Sequence, residues 1–260
     1  MLLAVDVGNT NIVLGVYTGQ GQDARMVGNW RIRTDRERTT DEHGMLLADL
    51  LAHCGLNLAS IQHVAISSVV PTMNETLAEL SRKYCRVEPF FVGPHTDTGI
   101  TIRYQPVSDV GADRICNAVG AYAKYGGPAI VVDYGTATTF DAIAANGDYL
   151  GGAILPGVGI SMDALFRQAS RLYRVEFVAP PAAIGQNTVH AMQSGLVFGF
   201  AGQTDAMVER FQVELGGGAV VIATGGLAEL IRPASRTIQF VDHLVTLEGL
   251  RLLFERSLRR

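Results

Sequence analysis

The sequence contains few cysteines, and they lie far apart. Cys54, Cys85 and Cys116 are the three in 260 residues, and no Cys-x-x-Cys pair occurs. Disulfide frameworks and thiolate zinc sites need paired or clustered cysteines. The six histidines form no His-x-x-x-His pair either. We therefore expect free, buried thiols in a reducing compartment, and the sequence argues against a zinc site.

Long apolar runs and strong positive charge are also missing. No apolar stretch approaches the ~18–20 residues that a membrane-spanning helix needs. The apolar N-terminal run is interrupted at Asp6, too early for a signal peptide. The formal net charge is −4, and no basic block is longer than residues 256–260. We expect a cytoplasmic protein that has neither a membrane nor nucleic acid as its partner.

The common nucleotide-binding and hydrolase motifs are absent too. The sequence has no Gly-x-x-x-x-Gly-Lys-[Ser/Thr], no His-Arg-Asp, no dinucleotide glycine fingerprint and no Gly-x-Ser-x-Gly elbow. The sequence is 48% hydrophobic and 18% charged, a composition typical of a folded globular protein. The length suits one large or two modest domains.

The stretch 2–17 organises the chain. Two short apolar runs flank the polar turn Asp6-Val7-Gly8-Asn9-Thr10-Asn11, a pattern typical of two strands joined by a tight loop. Gly8 lets the backbone approach a ligand, and the three side chains after it bring amide and hydroxyl donors together. Such a loop can hold a phosphate, and Asp6 would then face a Mg²⁺ held by the nucleotide. Alternatively, the stretch is a common Asp-x-Gly-Asn turn without a function.

The same pattern occurs again half a chain further on. Residues 129–140 read Ala-Ile-Val-Val-Asp-Tyr-Gly-Thr-Ala-Thr-Thr-Phe, so an aspartate, a glycine and a hydroxyl side chain again follow an apolar strand at matching offsets. Internal repeats indicate a duplicated architecture. We expect two related domains that face each other, each offering a polar hairpin to a ligand in the cleft between them. Chance similarity between two buried hairpins is the alternative.

The rest of the chain predicts a mixed α/β fold. A third Gly/Thr turn, Thr224-Gly225-Gly226, follows an apolar strand, and such turns gather at one edge of an open α/β sheet. The polar stretch 93–110 is broken by prolines and a glycine and is predicted to connect the halves, which places the domains at residues 1–110 and 111–260. Further strands are predicted at residues 26–32, 64–70, 87–92, 149–155 and 219–223.

Helical spacing predicts the remaining elements. Thr39 and Glu42 resemble a capping box before a helix. In the helix predicted at 189–211, Gly195, Gly199 and Gly202 lie at i, i+4 and i+7, which favours close helix packing. The other predicted helices cover residues 72–84, 113–125, 161–172 and 247–258.

Three Gly/Thr turns after apolar strands resemble the arrangement in the actin, sugar kinase and heat-shock chaperone ATPase superfamily. From residue 1 to about residue 253, the sequence more specifically resembles the type III pantothenate kinases. Seven ordered motifs support this resemblance: Asp6-Val7-Gly8-Asn9-Thr10-Asn11, Ser67-Ser68-Val69-Val70-Pro71, Gly111-Ala112-Asp113-Arg114, Asp133-Tyr134-Gly135-Thr136-Ala137-Thr138-Thr139, Gly151-Gly152-Ala153-Ile154-Leu155-Pro156-Gly157, Ile184-Gly185-Gln186-Asn187-Thr188 and Thr224-Gly225-Gly226-Leu227-Ala228.

The resemblance implies both a fold and a reaction. The fold would be the duplicated ribonuclease H-like fold of the actin-like ATPases, with two mixed-sheet domains flanking a cleft. The reaction would be phosphoryl transfer from ATP to the terminal hydroxyl of pantothenate, the first step toward coenzyme A. ATP with Mg²⁺ would bind through Thr136 and the first hairpin, which comprises Asp6, Val7, Gly8, Asn9, Thr10, Asn11, Ile12 and Val13.

The resemblance also assigns the substrate side of the reaction. Asp113 would be the general base; a carboxylate within hydrogen-bond reach suffices, because a loose transition state needs the hydroxyl proton accepted only late. Arg114 could hold Asp113 or the pantothenate carboxylate through a forked contact. Alternatively, the two residues simply open a helix in its favoured charge order. The expected substrate-binding residues are Tyr104, Gly111, Ala112, Asp113, Arg114 and Thr188.

A monovalent cation and a homodimer are implied in the same way. Asp133 would ligate K⁺ or NH₄⁺, for which oxygen ligands at a strand end are suited; alternatively, its side chain is hydrogen-bonded to its own turn. Thr188 would reach across a dimer interface to the substrate, so the site would need a homodimer. Alternatively, Thr188 is a helix N-cap before Val189.

Two departures and two rival functions remain. Relatives often read Leu-Pro and Asp-Pro where this chain has Leu172-Tyr173 and Asp242-His243, and the first departure is expected to alter a loop near the dimer interface. One rival is a phosphatase or polyphosphate hydrolase on the same scaffold, because a fold does not fix a function. The other is a non-catalytic binding protein. The intact motif at residues 111–114 argues against the hydrolase. The presence of Asp6, Asp113 and Asp133 argues against the non-catalytic protein.

Overall fold

The computed structural model describes residues 1–169 and 172–259 and divides the chain into two compact units. The first unit comprises Met1–Gly120 and Val245–Arg260, and the second comprises Ala121–Leu244. Each unit contains one five-stranded sheet with its own hydrophobic core.

The sheet of the first unit has the strand order β3-β2-β1-β4-β5. β1 pairs antiparallel with β2 and parallel with β4, so the sheet is mixed. The bounds are β1 Leu2–Val7, β2 Asn11–Thr18, β3 Arg25–Arg33, β4 His63–Ser68 and β5 Pro89–Phe91. Both faces of β1 are covered, which explains why it reads as an unbroken apolar run until Asp6.

The sheet of the second unit repeats this arrangement. Its order, β8-β7-β6-β9-β10, has the same succession of two antiparallel pairs followed by two parallel pairs. The bounds are β6 Ala129–Tyr134, β7 Ala137–Ile143, β8 Tyr149–Pro156, β9 Val220–Gly225 and β10 Phe240–Val241. The shared topology confirms the predicted duplication of a mixed-sheet domain.

Seven α-helices are present among the described residues. Their bounds are α1 Thr40–Ala52, α2 Asn74–Leu80, α3 Ala112–Tyr125, α4 Val158–Gln168, α5 Thr188–Glu214, α6 Ala228–Ile231 and α7 Val245–Ser257. The predicted capping box opens α1, because the Thr39 hydroxyl accepts from Glu42 N–H while the Glu42 carboxylate accepts from Thr39 N–H at 2.7 Å. The helix predicted at 72–84 is shorter, because a 3₁₀ turn precedes α2 and a π turn follows it.

Apolar side chains from strands and helices fill each core. In the first unit, Leu3, Ile66 and Leu51 are at most 1% exposed, and in the second, Ile130 and Phe140 are fully buried. Burying one such side chain contributes about 1.5–3 kcal/mol. This burial fixes the central strands, from whose ends the polar turns project.

The division of the chain differs from the boundary predicted after residue 110. The chain passes into the second unit within α3, at Gly120, and returns at Val245. The physical reason is close packing of α3 against α7: a Cβ on Gly249 would lie 1.8 Å from Cys116 O, and one on Gly120 would lie 2.2 Å from Val245 O. These glycines bring the first part of α3 and the C-terminal helix into one unit.

Two expectations about the helices need correction. The helix predicted at 161–172 is α4, which begins at Val158 and ends at Gln168; residues 170 and 171 lie outside the described part of the chain. The predicted packing of Gly195, Gly199 and Gly202 is not found among residues 1–169 and 172–259, because none of their atoms lies within 4 Å of a Cβ placed on any of the three. No helix in the described ranges combines the length and apolar character needed to cross a bilayer.

Candidate functional site

The first polar hairpin joins β1 to β2 through the loop at residues 8–10. Val7 pairs with Ile12 in the strands, and Gly8 N–H donates to Asn11 O at 3.0 Å to close the loop. The side chains of Val7 and Ile12 are buried, whereas Asn9 and Thr10 are exposed. The loop therefore presents amide and hydroxyl groups while its apolar flanks anchor it in the core. Val13, half-buried, follows on β2 opposite Asp6.

The segment after β3 holds this loop in place. The Thr34 hydroxyl donates to Gly8 O at 2.6 Å, and Thr34 N–H donates to Thr10 O at 2.9 Å. Arg36 Nη2 donates to Asn9 Oδ1 at 2.9 Å. Because a guanidinium can only donate, the Asn9 oxygen faces Arg36 and the amide nitrogen retains its donors for another partner. This orientation suits an anionic ligand.

Asp6 is held by a serine from the neighbouring parallel strand. Asp6 lies beside Ser67 in the register of β1 and β4, and Ser67 Oγ donates to Asp6 Oδ1 at 3.0 Å. Ser67 is fully buried, whereas Asp6 is partly accessible. The fully buried Cys116 thiol hydrogen-bonds to Ser67; burial and the charges of Asp6 and Asp113 raise the pKa of this thiol well above its ordinary value. Asp6 and Asp113 thus lie around one buried thiol.

Asp113 is in the first turn of α3, after a glycine that makes room for it. A Cβ on Gly111 would lie 2.4 Å from Asp113 Oδ1 and 3.3 Å from Val69 Cγ1. The carboxylate accepts a hydrogen bond from Arg114 N–H at 2.8 Å. Burial raises the pKa of Asp113 above its ordinary value, and that N–H and the positive charge of Arg114 oppose the rise. A raised pKa makes this carboxylate a better proton acceptor than a solvated aspartate.

The remaining residues expected to bind substrate are divided between the units. Ala112 and Arg114 are buried beside Asp113, and Tyr104 is half-buried in the irregular segment before α3. Thr188, in the second unit, is the exposed first residue of α5. The alternative that Thr188 caps this helix is wrong, because Asn187 is the cap and its Oδ1 accepts from His190 N–H at 2.9 Å.

The second polar hairpin joins β6 to β7 through a loop made of Gly135 and Thr136. Tyr134 pairs with Thr138 in the strands, and Gly135 N–H donates to Ala137 O at 3.0 Å. Asp133 precedes this loop as Asp6 precedes the first, and it lies beside Thr224 in the register of β6 and β9. Asp133 is partly accessible near the end of its strand.

Glycines surround this second hairpin closely. Gly225 has φ +88°, and a Cβ there would lie 2.6 Å from Asp133 Oδ1. A Cβ on Gly157 would lie 2.2 Å from Thr136 O and 2.8 Å from Gly135 O. The motifs that end β8 and β9 thus support the hairpin by their lack of side chains. Thr136 is exposed at the top of the loop.

The donor sets fit a metal shared with a ligand better than a cage made of protein alone. Within residues 1–169 and 172–259, no group of three or more His, Cys, Asp or Glu side chains could hold a metal ion. Asp6 and Asp133 each offer a partly accessible carboxylate at a strand end. Mg²⁺ is commonly held by one or two carboxylates together with substrate phosphates. The chain fits this mode of binding at Asp6.

Sequence reasoning missed three contacts that shape the site. Ser67 and Gly157 lie in motifs that support the resemblance but carry no predicted role, and Arg36 lies outside every one of the seven motifs. Their partners are 61, 21 and 27 residues away in the chain. The pairing of β1 with β4 could have placed Ser67 beside Asp6, because each is the next-to-last residue of its strand and the two strands are parallel.

Comparisons with solved structures support the fold. Component A of the (R)-2-hydroxyglutaryl-CoA dehydratase of Acidaminococcus fermentans has a TM-score of 0.61 at 14% identity, covering 100% of this chain and 99% of that one. A conserved Campylobacter jejuni protein assigned to the Baf family of transcriptional activators has a TM-score of 0.59 at 19% identity, covering 99% and 100%. At these identities the likeness shows the fold alone. It confirms the predicted actin-like ATPase fold class.

Sequence comparisons extend from end to end of the relatives. Residues 2–210 match the sequence model of the type III pantothenate kinase family. Proteins named type III pantothenate kinase from Moorella thermoacetica and Geobacter sulfurreducens are 52% and 51% identical to this chain over 257 residues. The alignments cover 99% of this chain and 100% and 99% of those proteins, respectively. Matches of this length and identity establish that the chain belongs to the type III pantothenate kinase family.

Proposed function

We propose that the protein transfers the γ-phosphoryl group of ATP to the terminal hydroxyl of pantothenate, the first step of coenzyme A synthesis. Family membership provides the reaction class. The single observation that carries the assignment in this chain is Asp113, a partly accessible carboxylate with a raised pKa in the first turn of α3. The reaction is expected to take place in the cytoplasm, where ATP is available.

The first hairpin is the proposed nucleotide-binding element. Asn9 and Thr10 are exposed, and Arg36 orients the Asn9 amide so that its donors remain available. Backbone and side-chain donors of this kind bind phosphate oxygens. Asp6 would hold the Mg²⁺ that accompanies ATP, and Thr136 of the second hairpin would contact the phosphates. Mg²⁺ supplies neutralisation of the negative charge that develops on the phosphate oxygens.

Asp113 is the proposed general base. The pantothenate hydroxyl oxygen attacks the γ-phosphorus, the bond from that phosphorus to the β,γ-bridging oxygen breaks, and ADP departs with the electron pair. The hydroxyl proton passes to the Asp113 carboxylate late in the transfer, so a carboxylate is basic enough. Arg114 is buried next to Asp113. Its guanidinium is proposed to hold the Asp113 carboxylate or the pantothenate carboxylate.

The second hairpin is the proposed site for a monovalent cation. Asp133 lies partly accessible near the strand end, and Gly225 places no side chain of its own beside Asp133 Oδ1. An oxygen donor in such a turn suits K⁺ or NH₄⁺ bound together with ATP phosphates. The ion would bring positive charge to the second hairpin, where Thr136 meets the phosphates.

A homodimer is the proposed working form. The second unit exposes apolar side chains on one edge strand and two helices, among them Ile154 at 64%, Phe166 at 45% and Phe198 at 38%. Ile184 is 85% exposed four residues before Thr188, and Tyr173, one of the sequence departures, is 49% exposed. Exposed apolar surface on a folded unit is typical of a contact with another chain. Such a contact would bring Thr188 to the partner's substrate.

The experiment that tests the proposal measures ADP release by the purified protein with ATP and Mg²⁺. Release should require pantothenate and should fall when K⁺ is replaced by Na⁺ at equal ionic strength. ADP release that is independent of pantothenate would instead indicate a hydrolase. Tight nucleotide binding without turnover, with pantothenate present, would indicate a binding protein. A Thr188→Ala variant tests the substrate contact, because its KM for pantothenate should rise more than its KM for ATP.

A further inference from the structure

Two consecutive serines end β4, and they make different contacts. Ser67 Oγ donates to Asp6 Oδ1 at 3.0 Å across the pair of parallel strands. Ser68 Oγ instead accepts from Val70 N–H at 3.2 Å, within its own turn. The first serine therefore contacts the first hairpin, while the second stabilises only the turn in which it lies.

The contact from Ser67 is fixed in direction. A carboxylate can only accept, so the Ser67 hydroxyl proton points to Asp6. The Ser67 hydroxyl is also hydrogen-bonded to the Cys116 thiol. Both Ser67 and Cys116 are fully buried, so water does not compete for either hydrogen bond. A hydrogen bond to a charged acceptor in such a place holds its partner more firmly than an exposed one.

The same turn also contacts the segment that leads to Asp113. Val69 N–H donates to Val7 O at 3.0 Å, so the turn is joined to the first residue beyond Asp6. Val69 Cγ1 lies 3.3 Å from the position that a Cβ on Gly111 would occupy. The turn at residues 67–70 thus lies between the nucleotide hairpin and the motif at 111–114. This placement gives the Ser-Ser-Val-Val motif a role beyond ending a strand.

We propose that Ser67 is a positioning residue for the nucleotide-bound metal: its hydrogen bond holds the Asp6 carboxylate in the orientation that meets Mg²⁺ on the phosphates. This inference rests on the proposed function, in which Asp6 faces that metal. Ser67 itself contacts neither metal nor nucleotide. Its effect should therefore be confined to the part of nucleotide affinity that depends on the metal.

The test compares Ser67→Ala with Ser68→Ala by isothermal titration calorimetry with ADP, once with Mg²⁺ and once with EDTA. Losing a hydrogen bond to a charged group corresponds to about a tenfold weaker affinity. We expect Ser67→Ala to weaken binding of Mg·ADP by that factor and to leave binding of metal-free ADP within about twofold. Ser68→Ala should leave the ratio of the two affinities at the wild-type value.

Two results would overturn the inference. One is an equal loss of both affinities in Ser67→Ala, which is what general damage to the hairpin would produce. The other is an unchanged ratio, which would mean that Asp6 is oriented without Ser67. Melting temperatures of both variants report damage to the fold separately. Pantothenate-dependent turnover of the wild type, measured in parallel, tests the proposed reaction independently of this metal effect.

Discussion

The two polar hairpins occupy equivalent places in two sheets of the same topology, yet the chain supports them by opposite means. Side chains hold the first: Ser67 bonds to Asp6, Thr34 to the Gly8 carbonyl, and Arg36 to Asn9. Missing side chains make room for the second, because Gly157 and Gly225 approach Thr136 and Asp133 closely. The first hairpin should therefore be sensitive to the loss of a polar group, and the second to the gain of a methyl group.

The helices that follow the fifth strand of each sheet show a second difference. Asp113 lies in the first turn of α3, and Glu248 lies in the first turn of α7. Glu248 forms an ion pair with Arg251, accepting from its Nε at 3.0 Å and also from its Nη2. One acidic residue is therefore engaged in the structure of its own helix, while the other is the proposed base. Duplication provided two helix starts, and we assign catalysis to one of them.

The largest expected effect is a loss of kcat, and it should distinguish the first turn of α3 from the first turn of α7. Asp113→Asn should lower kcat by about 10²–10⁴-fold, because the amide cannot accept the hydroxyl proton. Binding of Mg·ADP should change little. The matched control is Glu248→Gln, which should lower the melting temperature through its broken ion pair and leave kcat close to wild type. Equal losses of kcat in both variants would contradict the assignment of the base.

The next largest effect is a loss of stability, and it should differ between the two hairpins. Gly157→Ala should destabilise the protein by about 3 kcal/mol or displace the Thr136 loop, because the new methyl group would lie 2.2 Å from a backbone oxygen. Gly8→Ala is the control in the first hairpin; its methyl group would lie 3.1 Å from Asn11 O, and we expect a cost of about 1 kcal/mol. Urea unfolding of both variants provides the measurement. A larger cost for Gly8→Ala would reverse the comparison.

The sequence predicted the elements of both hairpins well, because their signals are local. Apolar strands followed by Asp-x-Gly fix each turn, and the repeat connects them. The supports of the hairpins were not predicted, because Ser67 and Gly157 meet their partners only after the strands pair. The unit boundary was displaced for the same reason: glycine contacts between α3 and α7 involve residues more than 100 positions apart. Roles for Asp113 and Asp133 came from resemblance to a family rather than from local pattern.

A third prediction concerns the exposed face of α5 that carries Gly195, Gly199 and Gly202. Gly199 is exposed on α5, and no atom in the described part of the chain lies within 4 Å of a Cβ placed on it, so Gly199→Leu should fit the single chain. Helix propensity should even favour leucine by up to about 1 kcal/mol. If α5 packs against a partner, the same substitution should shift dimer to monomer in sedimentation velocity and reduce activity. A dimer of wild-type strength would exclude this face from the interface.

The smallest effect is a pH dependence of stability that arises from His43 in the first unit. Burial, and secondarily the charge of Arg38, lower the pKa of His43 in the folded protein, while Asp35 and Glu42 oppose the shift. The unfolded chain therefore binds the proton more readily, and stability should fall as pH drops below ~6.5, at up to ~1.4 kcal/mol per pH unit. The histidines of the second unit, His190 and His243, are not buried.

Urea unfolding at pH 7.5 and pH 5.5 measures this effect. His43→Phe should lose less stability between the two pH values than the wild type, because the substituted side chain takes up no proton. His243→Phe is the control in the second unit and should keep the wild-type difference. An unchanged pH dependence in His43→Phe would show that other groups account for the acid destabilisation.

The most direct test of the account is the stoichiometry of the reaction. The purified protein would be incubated with ATP, Mg²⁺, K⁺ and pantothenate. Mass spectrometry would then measure phosphorylated pantothenate, and a parallel assay would measure ADP. We predict one phosphorylated pantothenate for each ADP formed, with both products lost together in Asp113→Asn. ADP formed with inorganic phosphate and without phosphorylated pantothenate would contradict the account.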